Sequence, residues 1–167
     1  MKLRTNRLLL REIEDKDLEN VFKGLSNPKV TKYYGVRFDT LEATKKQMVW
    51  FADKQQMWWA ICSPNNQVFY GAGGLSDINH ESKTAEIGLW LLPAFWGKGF
   101  MKEALTCISN YGIHQLKLSR IEGFVDTENR QCKKAMSKLD FKHEKTMKDC
   151  DLKNGKSISI DFYVKAI

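Results

Sequence analysis

The sequence predicts an α+β domain in which a mixed, mostly antiparallel central sheet carries helices on both faces. Three observations predict it. The middle of the chain, Trp58 to Leu92, reads as strands separated by tight turns. A long amphipathic helix opened by glycines follows directly, and beyond it strand and helix patterns alternate before a closing hairpin.

The elements follow in order. Arg7 to Ile13 is an apolar run between charges, a first strand. Asp15 or Asp17 caps a helix running to about Leu25, which Ser26-Asn27-Pro28 breaks. Thr40 to Lys54 places Leu41, Met48 and Phe51 at helical spacing behind a cap at Asp39 or Thr40. Trp58 to Cys62, Val68 to Ile78 and Thr84 to Leu92 form an antiparallel meander, with Gly71, Gly73 and Gly74 read as a bulge. Pro93 ends the third of these strands. A helix then runs from about Gly97 to His114, burying Phe100, Ala104, Leu105, Ile108, Tyr111 and Gly112 on one face. Arg120 to Asp126 is a strand and Asn129 to Leu139 a helix. Strands at Phe141 to Lys148 and Ser157 to Val164 are joined by a turn at Asp151 to Gly155.

Composition narrows the class. The 167 residues carry no repeat and no Gly/Ser linker, so residues 1–167 read as one domain. At 43% hydrophobic and 28% charged, the chain can bury a core and is not of disordered composition. No apolar run reaches bilayer length, and the basic start is not followed by a cleavable apolar segment. A cytoplasmic protein with no membrane partner is expected. Cys62, Cys107, Cys132 and Cys150 lack CxxC spacing, and His80, His114 and His143 stand apart, so no metal site is expected. The net charge of +7 favours polyanionic partners, whether nucleic acid or a phosphorylated ligand.

The stretch Ala85-Glu86-Ile87-Gly88 to Ala104 carries the chemistry. It reads as a buried strand, a tight turn and a helix whose start holds Gly97 and Gly99. The first N–H groups of a helix lack internal partners and face outward at its positive end, which makes an anion site. Glycines let a phosphate approach the backbone, and Lys98 adds a charge. The spacing fits neither a GxxxxGK[ST] phosphate loop nor a GxGxxG fingerprint, which points to another nucleotide-bearing ligand.

These residues resemble the GNAT (Gcn5-related) N-acetyltransferase superfamily, most closely its ribosomal-protein N-terminal acetyltransferase branch. Thr5-Asn6-Arg7-Leu8-Leu9-Leu10-Arg11 is similar to that branch's T-x-R-L-x-L-R opening. Glu86-Ile87-Gly88 with Trp96-Gly97-Lys98-Gly99-Phe100-Met101-Lys102-Glu103-Ala104 is similar to its E-I-G … W-G-K-G-x-A-x-E-A core. Asn129 through Cys132, then Leu139-Asp140-Phe141, is similar to N-x-x-S … L-G-F. The resemblance implies the GNAT-like acyl-CoA N-acyltransferase fold, acetyl-CoA as co-substrate, no metal, and an amine acceptor that is either a protein N-terminus or a small molecule.

It also implies roles. The amides of Gly97, Lys98, Gly99, Phe100 and Met101, after Trp96, would hold the coenzyme A diphosphate. The backbone of Leu91 and Leu92, with Asn129, would meet the pantetheine arm. Glu86 matches the strand glutamate that takes the amine's proton, or else serves as a structural or orienting carboxylate. An N–H near Trp90 would hold the oxyanion. Cys132 would donate to the leaving thiolate, with a pKa that the helix start, Arg130, Lys133 and Lys134 could lower. Tyr33, Tyr34 and Arg37 could shape the acceptor pocket. Several positions depart from the pattern. Met101 replaces a small residue, Cys132 a serine and Asp140 a glycine, while Met136 stands where many relatives have a tyrosine acid. Direct attack in a ternary complex is expected, from a monomer or homodimer. Competing readings are a catalytically silent acyl-CoA sensor and an RNA-binding module using Trp58, Trp59 and Trp96.

Overall fold

The computed structural model describes residues 1–167. One eight-stranded sheet runs through the chain in the order β1-β2-β3-β4-β5-β6-β8-β7. Its strands are β1 (Leu3–Arg4), β2 (Leu9–Glu12), β3 (Met57–Cys62), β4 (Phe69–Asn79), β5 (Thr84–Leu91), β6 (Arg120–Asp126), β7 (Lys142–Lys153) and β8 (Lys156–Ala166). Every neighbouring pair is antiparallel except β5 with β6. This is the mixed sheet the sequence predicts.

The helices are α1 (Leu18–Leu25), α2 (Pro28–Thr31), α3 (Leu41–Phe51), α4 (Phe100–His114) and α5 (Arg130–Lys138). Strand alternation splits the apolar residues between two cores. Trp59, Ile61, Ala85 and Ile87 meet Ala104, Leu105 and Ile108 of α4. Trp58, Ala60 and Trp90 meet Val21 and Leu25 of α1 on the opposite face. Gly24 permits that second packing, because a Cβ there would lie 2.1 Å from the Trp90 ring. No helix is long and apolar enough to cross a membrane.

The structure differs from the sequence reading in several places. The first strand is short, and an unforeseen two-residue strand, β1, precedes it. Pro28 does more than break α1: its fixed φ opens α2, which the Asn27 side chain caps at Lys29 N–H. Gly73 and Gly74 pair in unbroken register with Trp59 and Trp58; the irregularity falls beside Tyr70, next to Gly71. The closing hairpin turns at Asn154 and Gly155 alone, both at positive φ (52° and 74°), as a two-residue loop favours. Asp140 takes the left-handed position after α5 at φ 63°, where the family pattern has glycine.

β7 is the sheet's outer strand and is exposed along nearly its whole length. Its pairing with β8 shifts between Met147 and Asp151, and Asp149 adopts φ 46°.

One buried ion pair ties β2 to α1. Arg11 and Asp17 are 6% and 2% exposed. Arg11 Nη1 and Nη2 donate to the two Asp17 oxygens at 2.7 and 2.8 Å, and Asp17 also accepts the Glu14 N–H. Replacing one partner strands the other charge. Arg11→Met is expected to lower unfolding free energy by about 3–5 kcal/mol in urea titrations.

Candidate active site

The site begins where β5 leaves β6. Their parallel pairing spans only Thr84–Glu86 against Arg120–Glu122. Beyond it β5 continues to Leu91 paired with β4 alone. The Leu92 N–H donates to the Tyr70 carbonyl at 2.8 Å. Backbone groups of alternate strand residues face alternate neighbours, so Gly88 and Trp90 also address β4. On the other side, the Lys83 carbonyl accepts from Ser119 and Arg120 at the head of β6. By the same alternation Ile87, Leu89 and Leu91 face the gap. The free donors near Trp90 therefore belong to Leu89 and Leu91. Trp90 itself turns its side chain into the second core and is 3% exposed. Leu92 is likewise committed to Tyr70, and the Leu91 carbonyl accepts the Trp96 indole N–H at 2.8 Å.

A 3-10 turn, Pro93–Phe95, then leads to Gly97 (φ 73°) and Gly99 (φ 80°), both left-handed. α4 starts at Phe100, later than the sequence suggests, because these glycines shape a loop before it. The first bond of the helix runs from Glu103 N–H to the Gly99 carbonyl at 3.2 Å. The N–H groups from Gly97 through Lys102 find no acceptor within the protein, and Gly99 brings no side-chain cap. Gly97, Lys98 and Gly99 are exposed, and Trp96 is 45% exposed. The helix end is open to an anion rather than plugged.

Beside the gap lies a cleft of about 620 Å³. Glu86, Met101, Asn129, Cys132, Tyr33 and Tyr34, widely separated in sequence, all line it. Arg37 does not; it is exposed and donates to Asp39 at 3.2 Å. Asn129 caps α5 by accepting the Cys132 N–H, which leaves its amide NH₂ uncommitted. The cleft also holds Asp77, Asp126, Asp151 and Lys153, none of which the sequence singled out. Asp77 sits at φ 50° after Ser76, the pairing partner of Glu86, and no local motif marks it. Lys153 reaches from the β7–β8 hairpin to the Tyr34 carbonyl at 2.6 Å and also bonds the Thr31 carbonyl.

The electrostatics follow from this crowding. Burial, then the charges of Asp77 and Glu122, push the Glu86 carboxyl up to about 7. Its native value lies above that of an unfolded glutamate, so the folded state holds the proton more tightly. Its contribution to stability therefore falls as pH rises from about 4.3 toward 7. Burial, then the Glu86 charge, raises the Tyr34 hydroxyl. Burial lowers the Lys153 ammonium against the opposing pull of Asp126. Cys132 corrects an expectation: burial pushes its thiol up to about 11, and neither the helix start nor the neighbouring lysines offset it. Trp58 and Trp59, at 7% and 2% exposure, lie in the cores and cannot stack on bases.

A family model described as an acetyltransferase (GNAT) domain matches residues 7–142. The uncharacterized N-acetyltransferase YoaA of Bacillus subtilis is 31% identical over 96% of this chain and 94% of its own. The uncharacterized N-acetyltransferase p20 of Bacillus licheniformis is 31% identical, over 95% and 92%. A GNAT-family acetyltransferase from Bacillus anthracis superposes with a TM-score of 0.88 at 26% identity, covering 99% of this chain and 98% of that one. The spermidine N-acetyltransferase of Vibrio cholerae, solved with CoA and spermine, shares the fold at a TM-score of 0.89 and 19% identity, covering 97% and 96%.

The thiols offer a direct check. Cys150 is exposed on β7, while Cys132 is screened and held protonated. Iodoacetamide at pH 7.5 (about one unit below an ordinary cysteine pKa) is expected to label Cys150 well before Cys132, read by mass spectrometry of the native protein.

Proposed function

This chain belongs to the GNAT acetyltransferase family and is an acetyl-CoA-dependent acyltransferase; we propose that it acetylates a small primary amine bearing more than one positive charge. One catalytic domain, residues 1–167, does the work. The observation that carries the reading is the cleft where the strands part, lined by Asp77, Glu86, Asp126 and Asp151 against Lys46 and Lys153.

Acetyl transfer needs a neutral amine, a stabilised oxyanion and a departing thiolate. An alkyl ammonium keeps its proton below about pH 10. Glu86 accepts that proton, directly or through a water, and its pKa suits work at neutral pH. The unpaired amides of Gly97 to Met101 fit the diphosphate of the donor, since they have no protein acceptor to displace. The N–H groups of Leu89 and Leu91 face the region where the thioester would lie along β5. A donor so placed contributes about 3–4 kcal/mol toward the oxyanion. With its thiol near 11, Cys132 serves as a hydrogen-bond donor to the departing sulfur rather than as a strong acid. Asn129 offers its free amide to the pantetheine arm.

The acceptor class follows from charge. The cleft carries Asp77, Glu86, Asp126 and Asp151 against Lys46 and Lys153, on a chain whose net charge is +7. Lys153 spans from the hairpin to the turn after α2 and restricts the cleft there. An acidic, restricted cleft favours a compact polycation over an extended peptide. Tyr33 and Tyr34 supply walls for its methylene chain. The shared fold with a spermidine N-acetyltransferase is consistent with this acceptor. The Thr5-x-Arg7 opening favours a second reading, descent from the ribosomal-protein branch with a peptide acceptor. The four free cysteines fit a reducing, cytoplasmic setting. A silent sensor would have no use for a carboxylate tuned to neutrality.

Two measurements test this. Thiol release from acetyl-CoA with a panel of monoamines, diamines, polyamines and N-terminal peptides is expected to favour di- and polyamines by tenfold or more in kcat/KM, a gap of about 1.4 kcal/mol. Peptides as the best substrates would transfer the assignment to the ribosomal-protein branch, and CoA binding without turnover would indicate a sensor. The kcat/KM profile is expected to rise with pH and bend near 7, as Glu86 loses its proton. Glu86→Gln should abolish the bend and lower the rate about 10²–10⁴-fold, with partial recovery at high pH.

A further inference from the structure

The sequence singles out Thr5 and Arg7 at one end of the chain and Glu103 in another motif, and the structure joins them. The Arg7 backbone N–H donates to Glu103 Oε1 at 3.0 Å, and its Nε donates to Oε2 at 2.7 Å. Arg7 Nη2 lies 2.7 Å from the same Oε2. The Thr5 hydroxyl donates to Oε1. Arg7 Nη1 donates to the Lys98 carbonyl at 2.8 Å, and the guanidinium lies over the Phe100 ring, 5.0 Å from its centroid. A Cβ on Gly99 would come within 3.2 Å of Arg7 Nη2, so glycine leaves room for this approach.

Lys98 stands between the two left-handed glycines. In a trans peptide the carbonyl of one residue and the N–H of the next point in opposite directions. The chain has no cis bonds, so drawing the Lys98 carbonyl toward Arg7 turns the Gly99 N–H the other way. That amide is one of those left without a protein acceptor.

We propose that Arg7 is a positioning residue for the donor's diphosphate: it holds the Lys98–Gly99 peptide with its N–H toward the anion and masks the Glu103 carboxylate beside it. This rests on the reading that the Gly97–Lys102 amides grip the diphosphate. Both tasks need a planar cation that bonds in two directions at once, which a guanidinium does and an ammonium does not. The masking also has a measurable trace. Partial burial pulls the Glu103 carboxyl upward, yet the bonds from Thr5 and Arg7 outweigh it and hold it below its usual range. Without Arg7, a bare carboxylate would stand one turn from the phosphate.

The test compares wild type with Arg7→Ala, Arg7→Lys and Arg7→Ala/Glu103→Gln. The readouts are calorimetric binding of CoA and of 3′-dephospho-CoA, plus acetyl-CoA steady-state kinetics. Arg7→Ala is expected to weaken both ligands by tenfold or more and to raise KM for acetyl-CoA likewise, with kcat within about twofold at saturation. Arg7→Lys should recover part of the loss. The double variant should bind more tightly than Arg7→Ala, since the unmasked charge is gone. Unchanged binding in Arg7→Ala overturns the proposal, as does a fall in kcat matched by a lowered melting temperature in both single variants. A loss confined to CoA overturns it in favour of a contact with the 3′-phosphate. A wild-type protein that binds neither ligand overturns the diphosphate reading itself and this inference with it.

Discussion

The candidate site depends on the parting of β5 from β6. A sheet interior normally has no spare backbone hydrogen bonds, because each strand satisfies its neighbour on both sides. Here the parallel pair lasts only from Thr84 to Glu86, and the remaining length of β5 has one neighbour instead of two. Met101 and Leu105 of α4 and Cys132 and Met136 of α5 line the space that opens. An open ladder edge inside a half-buried gap is a binding surface for an extended ligand, just as sheet edges bind added strands. The same divergence leaves Glu86, at the last paired position, neither fully buried nor fully solvated. Its elevated pKa is therefore a product of the topology as much as of its neighbours.

The sequence revealed most of the architecture because its local signals agreed. Asn154-Gly155 marks the closing hairpin, though the sequence reading spread the turn over Asp151 to Gly155, and Pro93 with Gly97 and Gly99 marks a helix start, though α4 begins at Phe100 rather than Gly97. The open helix start was legible for the same reason, since it is built from consecutive backbone groups. Glu86, Asn129 and Cys132 were reachable only through motif resemblance, because nothing in their own neighbourhoods shows that three distant segments meet in one cleft. Asp77, Asp126 and Lys153 were not legible at all. Each looks like an ordinary surface charge until pairing with β5, β8 or the turn after α2 sets its position. The expectation of a donor near Trp90 could not name the residue, because strand register decides which way an N–H points, and register is a property of the pair rather than of the strand. Cys132 misled for a related reason: nearby lysines in sequence suggest a reactive thiolate, whereas burial in the fold raises its pKa.

Charge is distributed against the average. A chain with net charge +7 encloses a cleft in which carboxylates outnumber lysines, while its open helix start presents amides and Lys98 to an anion. The two halves of the candidate site thus carry opposite fields, unpaired amides along the loop and carboxylates, Glu86 among them, in the cleft. Arg7 and Glu103 keep these fields apart at the loop, since the acidic group there is neutralised by its own partner.

The outer strand has a consequence away from catalysis. β7 leaves one whole row of peptide groups unpaired, the kind of template on which further chains can stack into fibres. The shift after Met147 and the left-handed Asp149 break its flatness, and Lys142, Glu144, Lys145, Lys148, Asp149 and Asp151 set charges of both signs along it. Two copies meeting side by side there would have to match irregular kinks and take charged side chains out of water. The longest unprotected border of the sheet is thereby kept from seeding aggregation in a crowded solution.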